Sequence, residues 1–119
     1  MQNSKPVYDS EELTFQFAKR VRLYIKKLPN NISDIEDSKQ VVRASGSVCA
    51  NYIEANESLS KKDFLMRVKI CRKEAKESAL FLRLLYEKNS PEFEKEGIEL
   101  HTEAVQLKKI FSSIIEKSK

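Results

Sequence analysis

The sequence predicts an all-α protein, an up-down-up-down antiparallel four-helix bundle that forms a single domain over residues 1–119. Only two glycines and three prolines interrupt the chain, which leaves little room for long loops or a sheet. Apolar residues recur at helical spacing through four segments, about 10–28, 35–57, 61–88 and 91–117. The links between these segments are short, and short links make consecutive helices antiparallel neighbours.

The first helix follows a polar segment, residues 1–8, which is predicted to be a loose tail. Asp9 is the predicted N-cap, Glu12 its reciprocal partner, and Tyr8 is placed to pack on Leu13. Pro29 and the two asparagines after it end the helix. The residues predicted to face the core are Leu13, Phe17, Val21, Tyr24 and Leu28.

The second helix is predicted to start between Ser33 and Asp37, where Ser33 and Glu36 have the spacing of a capping box. At 100° per residue, one side of this helix collects most of its apolar side chains and is the predicted core face. That face contains Val42, Ser45, Cys49, Tyr52 and Asn56, flanked by Val41, Val48 and Ile53.

The third helix has the clearest start, with Ser60 as N-cap, Asp63 three residues later and Leu59 placed to pack on Phe64. A heptad pattern predicts its core face. A second apolar set lies on the far side of the helix and needs another partner, since one stripe is enough to join a bundle. The heptad is Phe64, Val68, Cys71, Ala75, Ser78, Leu82 and Leu85, and the second set is Met66, Ile70, Leu80, Phe81 and Leu84.

The fourth helix begins at Pro91, a residue favoured in the first helical position. It repeats the heptad, and its small residues Gly97 and Ala104 are predicted to permit close approach of larger groups. The heptad residues are Phe93, Gly97, Leu100, Ala104, Leu107, Phe111 and Ile114.

One stretch of the second helix, RASGSVCANYIEANE, is unusually rich in small residues, and Gly46 within it costs about 1 kcal/mol of helix stability relative to alanine. Its polar face is either a solvated surface or a contact surface for another helix. We combine this face with the second apolar set of the third helix as a predicted oligomer interface. Its members are Arg43, Ser47, Asn51, Glu54, Met66, Ile70, Phe81 and Leu84.

The arginine, the small residues after it and the pattern SV-x-AN-x-x-EA resemble a known family, the four-helix-bundle proteins encoded in intervening sequences of 23S ribosomal RNA genes. The segment SLSKKDFLMRVKICRKEAKESALFLRLL is similar to the same family, and the resemblance extends over about residues 11–116. It implies a four-helix bundle that assembles as a homo-pentamer, with nucleic-acid binding as the usually proposed role. It implies no catalytic residues.

Composition excludes several classes of function. No apolar run reaches the ~18 residues that span a bilayer, and the N-terminus has no signal-peptide pattern, so we expect a cytoplasmic protein without membrane contact. The two cysteines fall on predicted core faces, which favours buried thiols over a disulfide. A single histidine, His101, offers no Glu-x-x-His pair for a metal, and the sequence has no Gly-Lys-Ser phosphate loop. We therefore expect no enzyme activity, no metal site and no cofactor.

Charge is unevenly distributed although the net charge is only +4. Residues 61–76 contain seven basic residues against two acidic ones, whereas residues 88–103 contain two against five. Such a basic helix face is either a solvated surface or a site for the phosphates of RNA or DNA. The candidate residues are Lys62, Lys69, Arg72, Lys76 and Arg83 on the third helix and Lys19, Arg22 and Lys26 on the first.

Two other functions remain open at this point. The first is a protein-protein adaptor, because small basic bundles resembling this one serve as accessory subunits of reverse transcriptases in diversity-generating retroelements. The second is a structural protein without a ligand.

Overall fold

The computed structural model describes residues 9–119, and these form four α-helices in the predicted antiparallel order. Helix α1 spans Ser10–Ile25, α2 Ile32–Asn56, α3 Lys61–Lys88 and α4 Glu94–Lys117, with a 3-10 turn at Pro91–Phe93 before α4. Helices α2 and α4 both pack on α3, and α1 lies against α2 and α4. The prediction of an all-α four-helix bundle is confirmed, with α1 and α3 diagonally opposite each other.

The caps of α1 and α3 agree with the sequence. The Glu12 amide donates a hydrogen bond to Asp9 Oδ1 at 3.1 Å, and the Asp63 amide donates to Ser60 Oγ at 3.1 Å. Each bond satisfies one of the amides that a helix start leaves without a partner. Tyr8, the other half of the predicted contact with Leu13, lies outside the described residues.

The start of α2 lies before the predicted range of Ser33 to Asp37. Asn31 is the N-cap, because its Oδ1 accepts from the Asp34 amide at 2.9 Å while its Nδ2 donates to Asp34 Oδ2 at 2.7 Å. The sequence pattern predicts instead that Asn31 ends the first helix. That helix ends at Ile25, before the predicted residue 28, and Asn31 begins the next one.

The predicted contact between Leu59 and Phe64 is wrong. Leu59 is 99% exposed, whereas Phe64 is half-buried against the core. The side chain of Leu59 therefore contributes nothing to the packing of its own chain.

The core-facing side of α3 follows its heptad, and Val68, Leu82 and Leu85 are completely buried. The core face of α2 differs from the predicted one, since Ile53 is 42% exposed and Asn56 is exposed, donating a hydrogen bond to Glu11. Helix α1 packs on one side of α2 and α3 packs on the other, so apolar residues occur on both flanks of α2. The apolar pattern therefore does not show which residues between the two flanks are buried. Those buried residues are Val41, Ala44, Ser45, Val48 and Ala55.

Close packing of α1 on the start of α4 depends on one buried tyrosine. Tyr24 is completely buried, and its hydroxyl donates a hydrogen bond to the Phe93 carbonyl at 3.0 Å. Burial raises the pKa of Tyr24 to about 12, with a smaller contribution from the Glu96 carboxylate. Burial likewise raises the pKa of the Cys71 thiol to about 12.

These two shifts predict a loss of stability at alkaline pH. In the unfolded chain, Cys71 and Tyr24 lose their protons near their ordinary pKa values of 9.0 and 10.0, whereas the folded chain retains both protons up to about 12. The folded state then binds more protons, so the free energy of unfolding falls as the pH rises through this range. Urea titrations at increasing pH should show the fall, and Tyr24→Phe should make its upper part shallower. An equal slope in both proteins would contradict the contribution of Tyr24.

Candidate nucleic-acid interface

The outer face of α3 carries cations at every seventh position. Lys62, Lys69, Lys76 and Arg83 are all exposed. Seven residues of helix rise about 10.5 Å, so these four side chains form a nearly straight row of roughly 30 Å, which we call the α3 stripe. The row follows from the sequence itself, since a heptad places the residues of one position on one side of a helix.

Most of the charge on the α3 stripe is uncompensated. Arg83 Nε donates to Glu87 Oε2 at 2.8 Å, one turn further along the helix. Lys62, Lys69 and Lys76 form no ion pair with any residue from 9 to 119. Arg72, the fifth predicted cation of this helix, is half-buried and contributes less to the outer surface.

A shallow depression joins the α3 stripe to α4. Its volume is about 400 Å³, and Lys76, Leu80 and Arg83 border it on the α3 side, with His101 on α4. The His101 ring packs edge-on against Tyr86, with the ring centroids 6.1 Å apart. The depression therefore combines cations with apolar surface and has no carboxylate other than Glu77 in its lining.

The three predicted cations of α1 do not extend the α3 stripe, because α1 is diagonally opposite α3 in the bundle. Lys19 and Lys26 are exposed. The Arg22 guanidinium instead bridges α1 and α2, donating to the Ala18 carbonyl at 3.0 Å, to Ser45 Oγ at 3.3 Å and to the Val42 carbonyl at 3.1 Å. Arg22 thus helps to hold two helices together.

The small residues of α2 create the space for this bridge. A Cβ on Gly46 would lie 3.0 Å from Arg22 Nη2, so only a residue without a side chain leaves the guanidinium its full room. For this stretch the sequence predicts either a solvated surface or a contact with another helix, and the structure shows an arginine of the same chain against Gly46.

The polar face of α2 is largely occupied by contacts with α3 of the same chain. Arg43 Nη2 lies 2.8 Å from Glu77 Oε1 and 3.3 Å from Glu74 Oε1. Asn51 accepts from Arg67 Nη1 at 2.9 Å and donates to Ser47 Oγ at 3.0 Å. Among the predicted contact residues of this face, Glu54 is exposed and makes no ion pair within residues 9–119.

Glu74 lies deeper in the bundle than is usual for a charged residue. It is 8% exposed, and its Oε1 atom accepts no hydrogen bond although Arg43 is close enough for an ion pair. Its position next to core residue Ala75 in the heptad was the available signal of this burial.

The apolar members of the predicted interface divide into two groups. Met66 and Leu84 are 49% and 43% exposed, so both remain available to a partner. Ile70 and Phe81 are half-buried, and Phe81 packs against the core of its own chain. Of the second apolar set, Ile70 and Phe81 are therefore partly used within the chain, whereas Met66, Leu80 and Leu84 are exposed.

A second open surface lies between α1 and α2, where a groove of about 480 Å³ runs along the bundle. Phe15, Leu23 and Ile53 line it and are 51%, 48% and 42% exposed. Lys19 and Arg22 line the groove together with four small residues, Ala18, Gly46, Cys49 and Ala50. This groove was not identified in the sequence, because its walls come from two helices.

The described part of the chain contains no candidate metal site. Residues 9–119 contain no group of three or more His, Cys, Asp and Glu side chains that could hold a metal ion. Cys71 is buried and donates to the Val48 carbonyl at 3.4 Å, and neither it nor Cys49 forms a disulfide. Within the same residues no helix is long and apolar enough to cross a membrane.

Fold and surface together define a class: an antiparallel four-helix bundle with a basic outer helix. The chain belongs to the family described as 23S rRNA-intervening sequence protein, whose family model matches residues 9–113. The resemblance found in the sequence is thereby confirmed.

The chain is also similar to a solved structure, a protein of unknown function from the S23 ribosomal protein family of Bacteroides thetaiotaomicron. The two are 27% identical with a TM-score of 0.74, and the match covers 88% of this chain and 96% of the other. A search of curated proteins found no match.

Proposed function

We propose that this protein is a non-enzymatic, self-assembling helical bundle that binds RNA or DNA through phosphates on the outer face of α3. The observation that supports this proposal is the α3 stripe, in which Lys62, Lys69 and Lys76 have no ion-pair partner within residues 9–119. A row of uncompensated cations attracts a polyanion and releases the counterions condensed on it.

Phosphates, rather than bases, are the proposed contacts. Base recognition in single strands relies on stacking against exposed aromatic rings. The aromatic residues of α3, which are Phe64, Phe81 and Tyr86, are half-buried in the bundle instead. Binding should therefore vary little with nucleotide sequence.

Self-assembly is part of the proposal because one stripe offers few contacts. About four phosphate contacts per chain give weak binding at physiological salt. Several copies acting on one nucleic acid would gain by avidity, provided that their stripes can engage it together. The family resemblance supports a homo-pentamer as the assembly.

Replacing Lys62, Lys69 and Lys76 together by glutamine tests the α3 stripe. Filter binding of structured RNA, single strands and duplex DNA at ~50 and ~200 mM salt covers the range in which counterion release has a large effect. We expect lower affinity and a flatter salt dependence, with the logarithmic slope reduced by about 2 to 3 per bound chain. Sedimentation should show unchanged assembly.

The matched control removes the same number of charges elsewhere. Lys95, Lys109 and Lys117 on α4 are exposed, and their replacement by glutamine should leave most of the affinity intact. An equal loss in both triple variants would indicate a general charge effect and contradict a site on α3. Failure of the unmodified protein to retain any nucleic acid at the lower salt would remove the proposed function.

The adaptor is the second candidate, and a specific observation favours it. Met66, Leu80 and Leu84 are 49%, 52% and 43% exposed on the same outer side of α3 as the cations. Phosphates make no use of apolar side chains, whereas an acidic amphipathic helix of a protein partner would cover them. A gene position beside a reverse transcriptase would favour this role over nucleic-acid binding.

A further inference from the structure

Two apolar surfaces of the chain differ in shape and in charge. One is the groove between α1 and α2 described above, with Phe15, Leu23 and Ile53 as its large apolar side chains and Lys19 and Arg22 as its charged residues. The other lies at the turn between α2 and α3, where the exposed side chain of Leu59 stands beside a surface depression, and we call its residues the acidic knob. It comprises Leu59, Met66, Glu54, Glu57 and Asp63.

The acidic knob is exposed in an unusual way. Leu59 is 99% exposed and Met66 is 49% exposed, and both border one surface depression of about 300 Å³. Three exposed carboxylates and a single guanidinium, that of Arg67, line the same depression. These carboxylates form no ion pair with any residue in the described range, and Arg67 is engaged by Asn51.

The groove has the opposite character. Its charged residues are cations, and its lining includes no carboxylate. The Arg22 guanidinium fills the space over Gly46, whereas Ala50 carries only a methyl group, so an inserted side chain can come close to the α2 backbone at Ala50. Leu59 does not fill the groove of its own chain, since it is almost fully exposed.

We propose that the acidic knob of one copy docks into the α1–α2 groove of a second copy. Leu59 and Met66 would cover Phe15 and Ile53, while Glu54, Glu57 and Asp63 would face Lys19 and Arg22. This inference rests on the self-assembly in the proposed function and names the contact that produces it.

The charges decide which occupant the groove favours. If two grooves met in a symmetric contact, Lys19 and Arg22 of one copy would face and repel the same residues of the other. If the α3 stripe of a second copy occupied the groove, its cations would also be repelled. Within residues 9–119, the acidic knob is an apolar surface whose charge complements that of the groove. Because knob and groove are different surfaces, the contact is head-to-tail and repeats into a ring or a continuing chain.

A pair of charge reversals tests the contact. Lys19→Glu places a carboxylate in the groove, where it repels the carboxylates of the knob. Glu57→Lys places a cation in the knob, where it repels the cations of the groove. Each variant alone should therefore associate at least about tenfold more weakly. Mixing the two variants creates one contact with both charges exchanged and one contact of the original type. The mixture should therefore associate more strongly than either variant alone, as measured by sedimentation velocity, although a five-membered ring of the two variants retains at least one mismatched contact. Lys109→Glu, an exposed change on α4, is the control and should assemble normally.

A second pair of variants tests the apolar part without altering the fold. Leu59→Ser should weaken assembly. Because Leu59 is 99% exposed, the thermal stability of the monomeric variant should equal that of the unmodified monomer. Ile32→Ser is the matched control at the other end of α2, where the side chain is 80% exposed. Cys49 lies in the groove, so its alkylation should be slower in the assembled protein than in the Leu59→Ser variant.

The outcomes separate this contact from the proposed function. A monomeric unmodified protein would remove both the contact and the self-assembly. If the protein assembles but Lys19→Glu, Glu57→Lys and Leu59→Ser leave the strength of association unchanged, the knob-and-groove contact is wrong. Phosphate binding by the α3 stripe would then still be decided by filter binding.

Discussion

Replacing Leu82 by aspartate is expected to abolish folding. Leu82 is completely buried in the last third of α3, among core residues from neighbouring helices. An aspartate there would lose the apolar contacts of leucine and bring a carboxylate into a region that offers it no partner. Changes of this kind exceed the usual range of about 0.5–3 kcal/mol and approach the whole stability of a small domain. Far-UV circular dichroism should show little helix at 25 °C.

The matched control is two residues further along the same helix. Leu84 is 43% exposed on the outer side of α3, so Leu84→Asp places the same carboxylate in water. We expect this variant to retain its helix content and a cooperative thermal transition. A folded Leu82→Asp protein with an unchanged midpoint would show that the register of α3 is wrong.

Much of the fold could be predicted because the heptad of α3 defines its buried side, although a second apolar set lies on the other side. Its heptad places Val68, Leu82 and Leu85 on one side, and Ser60 marks its beginning without ambiguity. Helix α2 was harder because it is flanked on both sides. Its apolar residues point toward α1, toward the core and toward α3, so the hydrophobic pattern is broad and its centre is poorly defined.

The candidate surfaces were less predictable than the fold. A helical wheel shows that Lys62, Lys69 and Lys76 share a side, which is a property of one helix. It cannot show that Arg22 is used by α2, or that Arg43 pairs with Glu77 of α3 in the same chain. These pairings depend on the rotation of two helices relative to each other, and the sequence of one helix contains no information about that rotation.

The groove between α1 and α2 likewise depends on how two helices pack, and the sequence of either helix alone does not show it. Phe15 and Leu23 lie outside the predicted stripes, and single exposed apolar residues are normal on protein surfaces. Ile53 was predicted to flank the core face of α2. Only the packing of the two helices shows that all three border one groove. The proposed contact between copies therefore could not have been inferred from periodicity.

Gly97→Ala is expected to destabilise the protein although alanine is the better helix former. A Cβ at Gly97 would lie 2.7 Å from Tyr24 Oη and closer still to Tyr86 Cβ. The Tyr86 Cβ is attached directly to the backbone of α3 and cannot rotate away, so α3 and α4 would have to separate. The same movement would disturb the hydrogen bond from Tyr24 to the Phe93 carbonyl.

The sign of the effect follows from two opposing contributions. Alanine in place of glycine favours a helix by about 1 kcal/mol. Inserting a methyl group into a filled core costs typically about 1–3 kcal/mol, and sometimes more. Because backbone-attached atoms oppose the new methyl group, we expect the upper part of that range and a net loss of about 1–2 kcal/mol, with a larger loss for Gly97→Val.

The other glycine of the chain supplies the control, since Gly46→Ala makes the same chemical change in another helix. Its new Cβ would meet Arg22 Nη2 at 3.0 Å, the far end of a flexible side chain that can move by a few tenths of an ångström. There the gain in helix propensity should equal or exceed the cost of the contact, so the midpoint of thermal unfolding should be unchanged or higher. For a domain of this size, a loss of 1–2 kcal/mol at Gly97 corresponds to a midpoint lower by roughly 4–10 °C. Equal midpoints for Gly97→Ala and Gly46→Ala would mean that α3 and α4 are not in close contact at Gly97.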